Sequence, residues 1–80
     1  MNRIQIQYYA VLREQAGRSE EALLTEAATP VDLYRELQAR YAFSLPQTLL
    51  RVAVNDEFCA WDRALAPGDR VVFIPPVAGG

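Results

Sequence analysis

Thr29-Pro30-Val31-Asp32-Leu33-Tyr34-Arg35-Glu36-Leu37-Gln38-Ala39-Arg40-Tyr41 carries the clearest periodicity in this 80-residue chain. The Thr29 side chain can cap the first free amides of a helix, and Pro30 suits the first helical position because it has no amide to leave unpaired. Asp32 complements the positive end of the helix dipole. Leu33, Tyr34, Leu37 and Tyr41 recur at helical spacing while Arg35, Glu36, Gln38 and Arg40 fall on the other side, which predicts one amphipathic helix of about three turns. The fold therefore turns on what this single long helix covers.

On its N-terminal side, Ile4, Ile6 and Tyr8 alternate with Gln5, Gln7 and Tyr9, the period-two pattern of a half-buried strand. From Ala10 to Ala16 the character changes: Val11, Leu12, Gln15 and Ala16 suit a short helix, and Gly17 is placed to end it in the left-handed conformation. Glu20 to Thr25 is ambiguous by propensity; its shortness and the preceding Gly17-Arg18-Ser19 turn predict a second strand hairpinned on the first. On the C-terminal side, Ala42 to Thr48, broken by Pro46, reads as a loop or a single turn. Leu49 to Val54 is a third strand, closed by the turn signal Asn55-Asp56-Glu57, and Phe58 to Trp61 is a short fourth. Pro67-Gly68-Asp69 is a further turn, and Arg70 to Ile74 is the last strand.

A hairpin, one long helix and three more strands define an α+β domain, a mixed sheet of about five strands with the helix across one face. If the first and last strands are neighbours, the helix buries Leu33 and Leu37 against Ile4, Ile6, Val71 and Phe73. Parity then turns Tyr9, Val72 and Ile74 to the opposite face. Phe58, just after a turn, is placed to join Tyr9 and Ile74 in an exposed apolar patch, the kind that marks a partner site. The alternative is that these residues are half-buried under loops.

Composition removes most other functions. The chain is 51% apolar, 22% charged and carries a net charge of −2. With no basic cluster, nothing points to nucleic acid; with no run of 18 apolar residues, nothing points to a membrane span. The start does not read as a signal peptide. One cysteine, Cys59, excludes an internal disulfide and fits a reducing cytoplasm. Without histidine or clustered carboxylates, metal sites of the usual kinds are not expected, and no resident cofactor is. Cys59 has no activating histidine and apolar neighbours, so it reads as a packed thiol. Trp61, Tyr8 and Tyr34 read as core or sheet-face aromatics, and Asp69 as a turn residue. Arg13 is either half of a surface pair with Glu14, of little energetic weight, or a docking charge. All eight basic residues are arginines. Genomic bias explains that most simply; the alternative is that lysines would attack an activated acyl end, which guanidinium does not.

The one remaining reactive group is at the end. After Phe73-Ile74, the tandem Pro75-Pro76 removes two backbone donors and favours an extended exit. Val77-Ala78-Gly79-Gly80 then shrinks to no side chain at all, so residues 1–76 read as the domain and 77–80 as a projecting, flexible tail. Such a tail can thread a narrow channel and present the Gly80 carboxylate with no Cβ beside it. Ordinary fraying of a chain end is the alternative.

The stretches Ala53-Val54-Asn55 and Leu65-Ala66-Pro67-Gly68-Asp69-Arg70-Val71-Val72-Phe73-Ile74-Pro75-Pro76-Val77-Ala78-Gly79-Gly80 resemble the C-terminal half of the molybdopterin synthase small subunits. These form the MoaD family, within the ubiquitin-like MoaD/ThiS sulfur carriers. Tyr9-Ala10-Val11-Leu12-Arg13-Glu14-Gln15-Ala16-Gly17 is similar to that family's aromatic-Ala-x-x-Arg-Glu-x-x-Gly segment, with Tyr9 where Phe is usual. The resemblance covers essentially the whole chain and implies a β-grasp fold. It also implies that a ubiquitin-activating-like adenylyltransferase, consuming ATP, adenylates Gly80, and that a sulfur donor converts it to a thiocarboxylate. The sulfur then passes to a cyclic pterin precursor inside a large catalytic subunit, in a heterotetramer, and this chain adds no side-chain active site. Tyr9, Arg13, Phe58, Ile74, Pro75, Pro76, Val77 and Ala78 become the implied partner-binding positions, with Gly79 threading the tail. A sulfur carrier for thiamine or another pathway, and a β-grasp protein modifier or binding module, are the competing readings.

Overall fold

In the computed structural model, which describes residues 1–76, strands β1 (Asn2–Gln7) and β2 (Glu20–Thr25) form an antiparallel hairpin with helix α1 (Ala10–Ala16) inserted between them. Helix α2 (Pro30–Tyr41) follows, then a single 3-10 turn (Gln47–Leu49), and then strands β3 (Arg51–Val54), β4 (Glu57–Phe58) and β5 (Arg70–Ile74). The sheet order is β2-β1-β5-β3-β4. β1 and β5 are parallel neighbours at the centre, and the other pairs are antiparallel. This is a β-grasp fold, the α+β arrangement that the element order predicts. Expectations for Val77, Ala78, Gly79 and Gly80 lie outside the described residues.

The helix does what its pattern requires. The Thr29 hydroxyl accepts the Asp32 amide at 3.4 Å, and Leu33, Tyr34 and Leu37 are fully buried against Ile4, Ile6, Val71 and Phe73. Burying a side chain of this size contributes about 1.5–3 kcal/mol, so the α2 face supplies much of the margin of so small a domain. α2 ends on Ala42, which sits in the left-handed region at φ 55°, ψ 45°. Alanine pays a Cβ clash there that glycine does not. Replacing Ala42 with Gly is expected to stabilise the fold by about 0.5–1 kcal/mol, read as a higher denaturation midpoint; an unchanged or lower midpoint would contradict the strain.

Two strand boundaries differ from those predicted. β3 starts at Arg51 rather than Leu49, because Gln47–Leu49 closes a 3-10 turn in which the Leu50 amide donates to the Gln47 carbonyl at 3.0 Å. β4 stops at Phe58 rather than Trp61. After the Cys59 amide donates to Val52 at 3.1 Å, the chain leaves the sheet for the start of α2, where the Trp61 carbonyl accepts the Val31 amide at 3.1 Å. That amide has no partner within its own helix, so capping it outweighs two more residues of ladder. The Trp61 ring stacks on Phe73 (centroids 5.8 Å apart, 10° between planes) and meets Tyr34 edge-on. It is thus a lid on the core rather than a strand residue.

The Pro67-Gly68-Asp69 turn is more than a connection. Gly68 takes φ 85° and donates its amide to the Arg3 carbonyl at 2.7 Å, fixing the turn to β1. Asp69 accepts the Ala66 amide at 2.8 Å and the Asn55 side-chain amide at 3.0 Å, and Asn55 in turn accepts the Arg70 amide at 3.0 Å. This buckle ties the β3–β4 hairpin to the start of β5. It sets the register of β5.

Candidate functional site: an apolar hollow on the open sheet face

The face of the sheet opposite α2 carries a cross-strand row. Gln7 on β1 pairs with Val72 on β5, Val72 pairs with Ala53 on β3, and Ala53 pairs with Phe58 on β4. Side chains in such a row lie on one surface because pairing preserves the pleat. Val72 and Ala53, each 7% exposed, form the floor. Tyr9 and Phe58, at 44% and 58%, stand up from it as walls. With Ile74, Asp56 and Arg70 they enclose an open hollow of about 230 Å³.

The structure therefore brings Tyr9, Phe58 and Ile74 together around one depression. Ile74 is half-buried at the end of β5; Pro75 follows half-buried and Pro76 exposed. The hollow thus lies where the chain leaves the sheet at the end of β5. Arg13 does not line it: it is exposed on α1, where its amide donates to the Tyr9 carbonyl at 3.4 Å. Sequence reasoning missed Arg51, whose guanidinium lies 4.1 Å above the Phe58 ring. Its position two residues before Ala53 put it on the open face by parity, but the diagonal contact with Phe58 needed the β3–β4 register. It also missed that Arg70 donates to the Gln7 side chain.

The most constrained ionisable group lies elsewhere. Glu21 on β2 accepts hydrogen bonds from the hydroxyls of Tyr8 (2.6 Å) and Tyr41 (2.8 Å) and pairs with Arg18 at 3.0 Å. It clasps the hairpin to the last turn of α2. Burial pushes the Tyr8 hydroxyl far above its usual range, and the hydrogen bond and negative charge of Glu21 push the same way. Tyr34 is raised by burial, and Tyr41 by burial and then Glu21. A phenol whose folded pKa exceeds its unfolded value holds its proton when the unfolded chain has lost it. Stability is therefore complete below about pH 10 and falls above it, by about 1.4 kcal/mol per pH unit for fully buried Tyr8. Urea midpoints should drop steeply between pH 10 and 11, with a shallower drop in Tyr8→Phe; equal slopes would refute the assignment.

The lining of the hollow suits binding through apolar contact. Its lining holds no nucleophile and no base beyond Asp56. Among the described residues no group of three or more His, Cys, Asp or Glu is placed to hold a metal ion, and no helix is long and apolar enough to cross a membrane. Another open hollow, of about 300 Å³ between Met1, Glu26 and Leu65, offers Glu26 as its only side-chain carboxylate.

A five-stranded mixed sheet grasping one long helix is the ubiquitin-like β-grasp architecture. Within it the chain belongs to the ThiS family of sulfur carriers, whose model matches residues 6–80. It is 32% identical to the molybdopterin synthase sulfur carrier subunit of Escherichia coli K12, over 96% of this chain and 99% of that one. It is similar to the solved structure of a putative molybdopterin converting factor subunit 1 from Pyrococcus furiosus, with 30% identity, TM-score 0.78, and coverage of 96% of this chain and 100% of that chain. Small archaeal modifier protein 1 from Methanosarcina acetivorans shares the fold at 21% identity, with TM-score 0.80 and coverage of 100% and 98%.

Proposed function

We propose that this chain is the sulfur-carrier small subunit of a molybdopterin synthase. The observation that carries the reading is the full-length similarity to a protein with that role, at 32% identity over 99% of the relative's length. The hollow at the root of the tail supports it, because a carrier with no reactive side chains needs a docking surface near its working end.

In this reading the reacting group is the Gly80 carboxylate. One carboxylate oxygen attacks the α-phosphorus of ATP on an activating enzyme, pyrophosphate leaves, and an acyl-adenylate forms. Hydrosulfide released by a sulfur donor attacks the acyl carbon: the C–S bond forms, the C–O bond to AMP breaks, the proton passes to solvent, and a thiocarboxylate remains. The loaded tail then enters the large subunit, where the sulfur passes to a cyclic pterin precursor. Gly79 and Gly80 let the backbone approach both active sites where a Cβ would clash. Tyr9, Phe58 and Ile74 seat the body against the large subunit, and Pro75 and Pro76 direct Val77 and Ala78 toward its tunnel. Arg13, one turn beyond Tyr9, is a peripheral polar contact.

Incubation with the activating enzyme, ATP and a sulfur source, followed by intact mass measurement, tests this. Replacement of one oxygen by sulfur, and release of that sulfur on adding large subunit and pterin precursor, is the expected result. Attachment of the chain to lysines of other proteins would make it a modifier instead. Release of sulfur to a thiazole-forming system but not to the large subunit would make it a thiamine-pathway carrier.

A further inference from the structure

The chain is net acidic, yet its open face is not. Arg18, Arg35 and Arg40 are each paired with a carboxylate. Arg51 and Arg70 both belong to the open face, beside the hollow, and neither has a carboxylate partner among the described residues. Both are held nonetheless. Arg51 is held with its guanidinium carbon 4.1 Å from the centre of the Phe58 ring, a contact that occupies none of its N–H donors with a carboxylate. Arg70 is anchored by the Gln7 side chain on the neighbouring strand. A guanidinium held by a neutral partner keeps its full charge and loses little further freedom when a carboxylate arrives.

The register sets their spacing. Arg51 pairs with Ile74, and Arg70 lies four residues back along β5. The two arginines are therefore about 13 Å apart along the strands, with the floor of the hollow between them. From this we infer that the face recognises an acidic–apolar–acidic element: one apolar side chain entering the hollow, flanked by two carboxylates that pair with Arg51 and Arg70. The occupant is the surface of the large subunit, so the inference rests on the reading above and adds the chemistry by which that partner is selected. Aromatic walls supply affinity, and the two arginines supply register and discrimination against partners whose facing residues are basic. Asp56, the carboxylate among the lining residues, adds to that discrimination by disfavouring an acid directly in the hollow.

The test uses the full chain and the large subunit from the same source, with Kd measured calorimetrically from low to high salt. Wild-type binding is expected to weaken as salt rises. The double variant Arg51→Gln, Arg70→Gln should bind about tenfold or more weakly at low salt and lose most of the salt dependence. Lysine at both positions should restore part of the affinity, since charge returns without the planar fork. Arg35→Gln, on the outer side of α2 and paired with Asp32, should bind as wild type. Thermal melts of each variant check that the fold is intact. Wild-type affinity and salt slope in the double variant, with Phe58→Ala still weakening binding, would overturn the inference and leave the functional reading standing. Loss of adenylation in the double variant with unchanged large-subunit affinity would also overturn it, by moving the arginines to the activating enzyme. Failure of the wild-type chain to bind the large subunit at all would overturn both.

Discussion

Deletion of Gly80 is expected to abolish thiocarboxylate formation and sulfur transfer while leaving folding and large-subunit binding nearly unchanged. The truncated chain still ends in a glycine carboxylate, so the loss would come from reach rather than chemistry. One residue spans about 3.5 Å of extended chain, whereas a misplacement of about 1 Å at a reacting centre already costs around a hundredfold. Transfer should therefore fall to background. The fold should not notice, because β5 ends at Ile74 and Pro76 is already exposed. Intact mass after activation reads the first part, and a thermal melt with a binding isotherm reads the second. Retained sulfur loading would show that the end of the tail is not the carrier group. Loss of folding would show that residues beyond β5 support the core.

The second large effect is on stability. Phe73 is fully buried on the central strand β5, with its ring 5.2 Å from that of Tyr34 and 5.8 Å from that of Trp61. Phe73→Ala removes the apolar burial and leaves a void that three separate elements would have to collapse into, at a cost of about 3–5 kcal/mol. A chain of this length has roughly 4–12 kcal/mol in total, so the change removes a large share of the margin, and near the lower bound it would leave much of the population unfolded. Phe73→Leu, which keeps most of the volume, should cost about half as much. Chemical denaturation of both variants measures this. A cost below about 1.5 kcal/mol for the alanine variant would mean that Trp61 or Tyr34 swings in to fill the space, and that the aromatic lid is looser than its stacked geometry indicates. Function should follow stability here, since β5 carries both the floor of the hollow and the approach to the tail.

Most of the architecture was legible because its signals are local. Thr29 and Pro30 announce the start of α2, Gly17 ends α1 at φ 75° with its amide on the Arg13 carbonyl, and the alternation from Ile4 to Tyr9 assigns each side chain to a face. The same parity put Tyr9 and Ile74 opposite the helix, where the structure has them. Glu21 shows where local reasoning stops. Alternation alone turns it inward, and an inward carboxylate is costly unless it is paired. The Tyr41 hydroxyl that helps to satisfy it comes from twenty residues further along, at the far end of another element. Trp61 fails as a strand residue for a similar reason: its carbonyl is claimed by the start of α2, a partner thirty residues earlier.

The sequence by itself determined the helix and its buried face, the number and order of the strands, and the absence of histidine and lysine from the body. It also supplied the Gly79-Gly80 pair on which the proposed carrier role rests. Each of these depends on residues within a turn or two of one another, or on composition alone. The tertiary structure decided that Tyr9, Phe58 and Ile74 share one hollow, that Arg51 stacks on Phe58, and that Arg70 is held by Gln7. Those relations depend on how β1, β3, β4 and β5 pair, and a one-residue slip in any pairing would turn the side chains to the opposite face. Register is set by long-range contacts, among them the Asn55–Asp69 buckle and the Gly68 amide on Arg3. The sequence could name Tyr9, Phe58 and Ile74; only the pairing of the strands could bring them to one hollow and set Arg51 and Arg70 beside it.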